Sequence, residues 1–195
     1  MQNNSTFTDF LKDVSSEIDK RNISSGIVSI CDHIANLKPL TEYSYLLSKY
    51  SFSALWEEEN NSSFIALDKC KYITLDGPNR FKMAEDFHYQ NLKNIINIDN
   101  CLHSSSLSKI LYFFSYSDDI NGSINSLDAP NMEAVLPKIL IIKDLDNSLI
   151  RINAQLNGKN SLREILEEFW FIKNELITKR ENDEPKKYLY SIKSI

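Results

Sequence analysis

Apolar residues near the start of the chain recur at helical spacing. Phe7, Phe10, Leu11, Val14 and Ile18 fall on one face, and Ser5 or Thr6 offers a hydroxyl to cap a free first-turn N–H. Gly26 then precedes a strand over Ile27–Ile30, and Pro39 opens a short helix carrying Leu40, Tyr43, Leu46 and Leu47. The pattern next changes to short runs of aromatic and β-favouring residues. Phe52–Glu57, Ser63–Leu67 and Lys71–Leu75 are predicted as a meander of three strands, turning at Glu58–Asn61 and at Asp68-Lys69. Asp76-Gly77-Pro78 breaks it. A helix of about twenty residues is expected from Pro78, with Phe81, Ala84, Phe87, Leu92 and Ile95 as its core stripe.

Lys109–Tyr116 reads as a buried strand and the polar stretch Ser117–Ala129 as a surface loop. Val135–Lys143 and Ser148–Ala154 form a hairpin turning at Asp146-Asn147. Ser161 and Glu164 have the spacing of a capping box, ahead of a helix whose apolar face is Leu162, Ile165, Leu166, Phe169, Ile172 and Leu176. Beyond Arg180 the pattern dissolves, and Lys179–Lys187, with charges of both signs, reads as a solvated linker. The expected fold class is α+β: a mainly antiparallel β-sheet with packed helices, in a single domain over 1–180. Residues 181–195 are read as a linker or the start of a further, catalytic half.

Composition adds limits. The 195 residues are 42% apolar and 25% charged, as in ordinary globular proteins. No apolar run approaches about 18 residues, so no membrane span is expected. The polar Met1–Asp9 segment lacks the apolar core of a secretory signal, so the expected location is cytoplasmic. A net charge of -5 disfavours nucleic acid and anionic membrane as partners, because both need a concentrated basic surface. Cys31, Cys70 and Cys101 contain no CxxC pair and are read as reduced structural thiols. With 24 Ser, 23 Ile and 20 Asn, the usage suggests an AT-rich genome, so clusters such as Asn60-Asn61 carry no functional signal.

The chemistry offered by local motifs is thin. The chain has four glycines and no phosphate-cradling glycine loop, H-E-x-x-H or G-x-S-x-G. His33, His88 and His103 have no partner at metal-ligand spacing; His88 stands three residues after Glu85 and is expected to make a solvated pair with it. Glu57-Glu58-Glu59 lies in an extended segment where neighbours alternate faces, so the three carboxylates cannot converge on one cation. Asp144, Asp146 and Asn147 resemble a calcium loop in part, without its glycine and closing glutamate, and are read as a hairpin turn. Trp56, Tyr112, Phe113, Phe114 and Tyr116 are read as core rather than as a ring-stacking site. No catalytic, cofactor-binding or metal-binding residue is nominated.

A longer-range order of motifs points further. Phe52-Ser53-Ala54-Leu55-Trp56, Ser63–Leu67, Gly77-Pro78-Asn79-Arg80-Phe81, Leu111–Tyr116 and Asn131–Leu140 follow one another as do motifs in the N-terminal half of chorismate-utilising enzymes, most closely isochorismate synthases. The resemblance is strongest over 52–154. In that family an aromatic-Trp pair opens a strand, an Arg-Phe pair starts a helix, a strand of F-G-G-F-A-F type follows, and Leu-Pro precedes an apolar strand. Phe52/Trp56, Arg80-Phe81, Phe113-Phe114-Ser115-Tyr116 and Leu136-Pro137 take those places. The family's glycines are missing from Phe64–Asp68 and Leu111–Tyr116, as in a diverged branch like the cyanobacterial enzymes that feed phylloquinone synthesis.

The resemblance implies an activity: conversion of chorismate to isochorismate for menaquinone or phylloquinone, an isomerase reaction. In the family a lysine base activates water, a glutamate acid protonates the leaving hydroxyl, and Mg²⁺ held by glutamates clamps the carboxylate. The family places all of these in its C-terminal half and none maps onto this chain. Lys193 lacks the strand that follows the family's basic lysine. Mg²⁺ is therefore implied for the full-length enzyme and none for this chain, which is expected to be inactive alone and to be a fragment, with a separate C-terminal catalytic half as partner. The alternatives are a stand-alone non-catalytic scaffold or interaction module, and the N-terminal part of an anthranilate or aminodeoxychorismate synthase. The Leu-Glu-Ser-like motif with which anthranilate synthases bind tryptophan is not found, which favours the isochorismate reading.

Overall fold

The computed structural model describes residues 6–34, 37–57, 62–99, 107–114, 131–144 and 147–178. Helix α1 (Phe7–Lys20) begins where its pattern begins. Thr6 caps it: the Thr6 hydroxyl accepts from the Asp9 N–H, and the Asp9 carboxylate accepts from the Thr6 N–H. Those bonds hold the Asp9 carboxyl below the usual carboxylate range. Strand β1 (Ser25–His33) follows, then a 3₁₀ helix (Leu40–Ser48), β2 (Ser53–Glu57), β3 (Ser62–Leu75), α2 (Arg80–Lys93), β4 (Ile95–Asp99), β5 (Leu111–Phe114), β6 (Met132–Asp144), β7 (Asn147–Asn157) and α3 (Lys159–Thr178).

The strands form one sheet in the order β2-β3-β6-β7-β1-β4, with β5 also pairing β6. Among the described residues every pairing is antiparallel except β1 with β4. The α+β, mainly antiparallel architecture expected from the pattern is therefore the one observed. Alternation along the strands sorts side chains to two faces. Val28, Ile30, Ile65, Leu67, Ile139, Ile141, Ile150 and Ile152 pack with α1, the 3₁₀ helix and α3 in the main core. Within it Phe10 of α1 stacks on Phe169 of α3 with ring centroids 5.2 Å apart. The alternate residues Cys31, Ala66, Leu140, Ile142 and Leu149 make a second cluster. Farther along the sheet, Ala84 of α2 packs with Leu75 and Met132.

Several expectations are corrected. Ser63–Leu67 and Lys71–Leu75 are one strand, not two. The turn expected at Asp68-Lys69 is a bulge, with Asp68 at φ 55° and the register against β6 shifting between Lys69 and Lys71. A bulge absorbs the extra residue without ending the strand. The helix from Pro78 is shorter than expected, and Ile95 belongs to β4. Once the helix ends at Asn94, Ile95–Asp99 can pair in parallel with Ile27–Cys31. Trp56 and Phe81 are not core: they are 57% and 55% exposed. Trp56 stands on the terminal strand β2, and Phe81, in the first turn of α2, stacks on the exposed Phe114 of β5 with ring centroids 5.6 Å apart instead of entering the core. Phe113 and Phe114 are likewise exposed, because β5 is a short outer strand. α3 starts at Lys159, so Ser161 does not cap it as expected. Instead its hydroxyl accepts from the Asn157 N–H and donates to the Gly158 carbonyl. The Val135–Ala154 hairpin holds, with longer strands. The Ser117–Ala129 loop, Ser115, Tyr116, His103, Cys101, Glu58, Glu59, Asp146, Lys193 and the 181–195 segment lie outside the described residues.

Candidate functional site

The most distinctive polar feature is a fork in the sheet. β6 pairs with β7 from Asp144 to Ile139, where Ile139 faces Ile152. From Val135 to Met132 the same side of β6 pairs with β5 instead. Between these stretches stand Leu136, Pro137 and Lys138, while β7 runs on beside β1 as far as Asn157. A proline in an inner strand is costly because it has no N–H for the ladder. At a fork none is required there, which accounts for the Leu136-Pro137 pair found in the sequence.

A buried polar network fills the split. The Asn153 amide nitrogen donates to the Pro137 carbonyl at 2.8 Å. That bond orients the amide, so its oxygen faces two hydroxyls and accepts from Ser29 at 2.6 Å and Ser108 at 2.9 Å. Ser29, its one proton directed at Asn153, accepts from the Arg151 guanidinium at 2.6 Å. The same guanidinium nitrogen lies 3.3 Å from Asn97 Oδ1 on β4. Ser29, Arg151 and Asn153 are each 0% exposed. Asn153 thereby ties β7 to β6 where their backbone ladder is interrupted, and the network extends to β1, β4 and the segment before β5. Burying a guanidinium is tolerated only where its N–H groups meet acceptors. Nothing in the sequence reading singled out these residues. The available signals were a charged residue and an asparagine alternating with Ile150, Ile152 and Ala154, and a proline within an apolar run.

Beside the network is a cleft of about 420 Å³, lined in part by Cys70, Lys138, Asn153, Gln155, Glu164 and Glu168. Lys138 and Glu168 are paired at 2.7 Å. Burial pushes the Cys70 thiol up to about 11, against smaller opposing effects of Lys71 and Lys138. Cys70 is a free thiol, as expected, and Cys31 is buried. Because the thiolate is the reactive form, Cys70 should alkylate about 100-fold more slowly than free cysteine at pH 8. Iodoacetamide labelling followed by peptide mass spectrometry measures this, and labelling at the rate of free cysteine would contradict the burial.

The other residues weighed from sequence stay apart. His88 does not pair with Glu85. Its Nδ1 is 2.7 Å from the Tyr112 hydroxyl, and Glu85 faces Lys82. Burial raises the Tyr112 pKa. His33 and Glu57 are exposed. Among the described residues no three His, Cys, Asp or Glu side chains gather as a metal site. Two of the nearby carboxylates are engaged by lysines, Glu168 by Lys138 and Glu133 by Lys69. No helix among the described residues is long and apolar enough to cross a membrane.

A family model described as chorismate binding enzyme matches residues 10–194. No curated protein matches the chain. Among solved structures, MenF, the menaquinone-specific isochorismate synthase from Escherichia coli, is similar at 12% identity with a TM-score of 0.40. The match covers 90% of this chain and 35% of the MenF chain, so the present chain spans well under half of that protein's length.

Proposed function

The chain belongs to the chorismate-binding enzyme family, and from that premise we propose that it serves as the N-terminal portion of an isochorismate synthase acting in the cytoplasm. The observation that carries the reading is the family match over 10–194, with the motif order from Phe52 to Leu140 favouring the isochorismate branch. On this reading the chain supplies scaffold. Its sheet, tied across the fork by the Asn153 bond to Pro137, is a wall against which a catalytic portion assembles. That portion brings the lysine base, the glutamate acid and the carboxylates for Mg²⁺, and chorismate is its substrate.

The test uses the native gene product. The gene is tagged at its own locus, and the tagged protein is purified with whatever accompanies it. Chorismate and Mg²⁺ are then added, with and without an ammonia source, and products are separated by liquid chromatography. Isochorismate is the expected product. Anthranilate or aminodeoxychorismate would replace this reading with the corresponding synthase, and no turnover would favour a non-catalytic module. The purified 195-residue chain alone is expected to leave chorismate unconverted at any Mg²⁺ concentration. Isochorismate above the uncatalysed rate in that sample would overturn the scaffold role.

A further inference from the structure

Lys69 occupies an unusual place. It follows Asp68, whose φ is 55°, at the register shift of β3. Its Nζ lies 4.6 Å from the centroid of the Tyr72 ring and 5.3 Å from that of Phe52. The third side is the Glu133 carboxylate, with Oε1 at 2.5 Å. Phe52 is held in turn by Phe113, edge to face with centroids 5.6 Å apart. Two aromatic rings and a carboxylate around one ammonium are the components with which proteins bind quaternary and methylated amines.

We propose that Phe52, Tyr72 and Glu133 form a binding site for an organic ammonium head group, closed in this structure by the chain's own Lys69. The three groups come from different places in the sheet: Phe52 just before β2, Tyr72 on β3 and Glu133 on β6. Their positions are therefore set by the sheet rather than by Lys69. The Glu133 side chain is only 17% exposed, and a carboxylate so shielded needs a cation opposite it. An incoming ammonium takes over that role when Lys69 withdraws. Tyr72 is 58% exposed, so the site opens to solvent along one ring. The long lysine stem, starting from a bulge, can swing out without breaking a regular ladder. Rings prefer a large, weakly hydrated cation to sodium, which sets the ligand class as trimethylammonium-like.

Tetramethylammonium chloride is the probe, titrated at constant ionic strength into ¹⁵N-labelled wild type and Lys69→Ala. Lys69→Ala is expected to show saturable shifts at the amides of Phe52, Tyr72 and Glu133. Wild type should bind at least about tenfold more weakly, because its own lysine competes. Adding Tyr72→Ala to Lys69→Ala should abolish the response. Equal binding by wild type, no binding by Lys69→Ala, or an undiminished response in the double variant would each overturn the proposal. If Lys69→Ala does not melt cooperatively, Lys69→Ser replaces it. Failure of both to fold would identify Lys69 as a structural cation and also overturn the proposal. Choline and a peptide bearing trimethyl-lysine carry the same head group, and the tighter of the two in Lys69→Ala identifies the source.

Discussion

Replacing Asn153 with leucine is expected to cost about 2–4 kcal/mol of stability, although the two side chains are similar in size. The loss comes from what Asn153 leaves behind. The Pro137 carbonyl loses the amide donor at 2.8 Å, and the Ser29 and Ser108 hydroxyls lose their shared acceptor. A buried polar group left unsatisfied costs about 1–3 kcal/mol. The two serines, 2.9 Å apart, can turn to each other and recover part of it. Pro137 has no such recourse among these groups, so its carbonyl dominates the loss. Ser108→Ala should cost less, because Ser29 still donates to Asn153. Urea unfolding of wild type and both variants gives the comparison. A loss below about 0.5 kcal/mol for Asn153→Leu would show that the fork does not depend on this network.

Phe169→Ala is expected to have the largest effect of any single truncation considered, about 3–5 kcal/mol. Phe169 is 0% exposed and stacks on Phe10, so its removal opens a cavity between α1, α3 and the sheet. For a chain of this size the melting temperature should fall by about 6–20 °C. Trp56→Ala, on the same scale, should cost less than about 1 kcal/mol, since most of the indole already faces solvent. The sequence pattern alone does not separate the two, because it places both Trp56 and Phe169 in the core. Thermal unfolding of the pair followed by circular dichroism discriminates. Equal losses would contradict the position of β2 at the edge of the sheet.

Local periodicity determined much of this protein. The spacing of Phe7, Phe10, Val14 and Ile18 and that of Leu162, Leu166, Phe169 and Ile172 set the inward faces of α1 and α3, which are the faces observed. Alternation between Ser148 and Ala154 set the hairpin that pairs β6 with β7. The motif order supported a family assignment that the match over 10–194 then established. These properties are local, since periodicity reports which side of its own element a residue occupies. It does not report whether another element covers that side. Only the tertiary structure decided that Trp56 lies on a terminal strand, that Phe81 meets the exposed Phe114 outside the core, and that Ile95 leaves its helix to pair with Ile27. The fork is the clearest case. Asn153 meets Ser29 across 124 positions and Pro137 across 16, and the Lys69 ammonium meets Glu133 across 64. No short-range pattern encodes such meetings. They exist because the sheet order brings β1, β3, β6 and β7 together, and because polar groups buried there must find partners within hydrogen-bond reach.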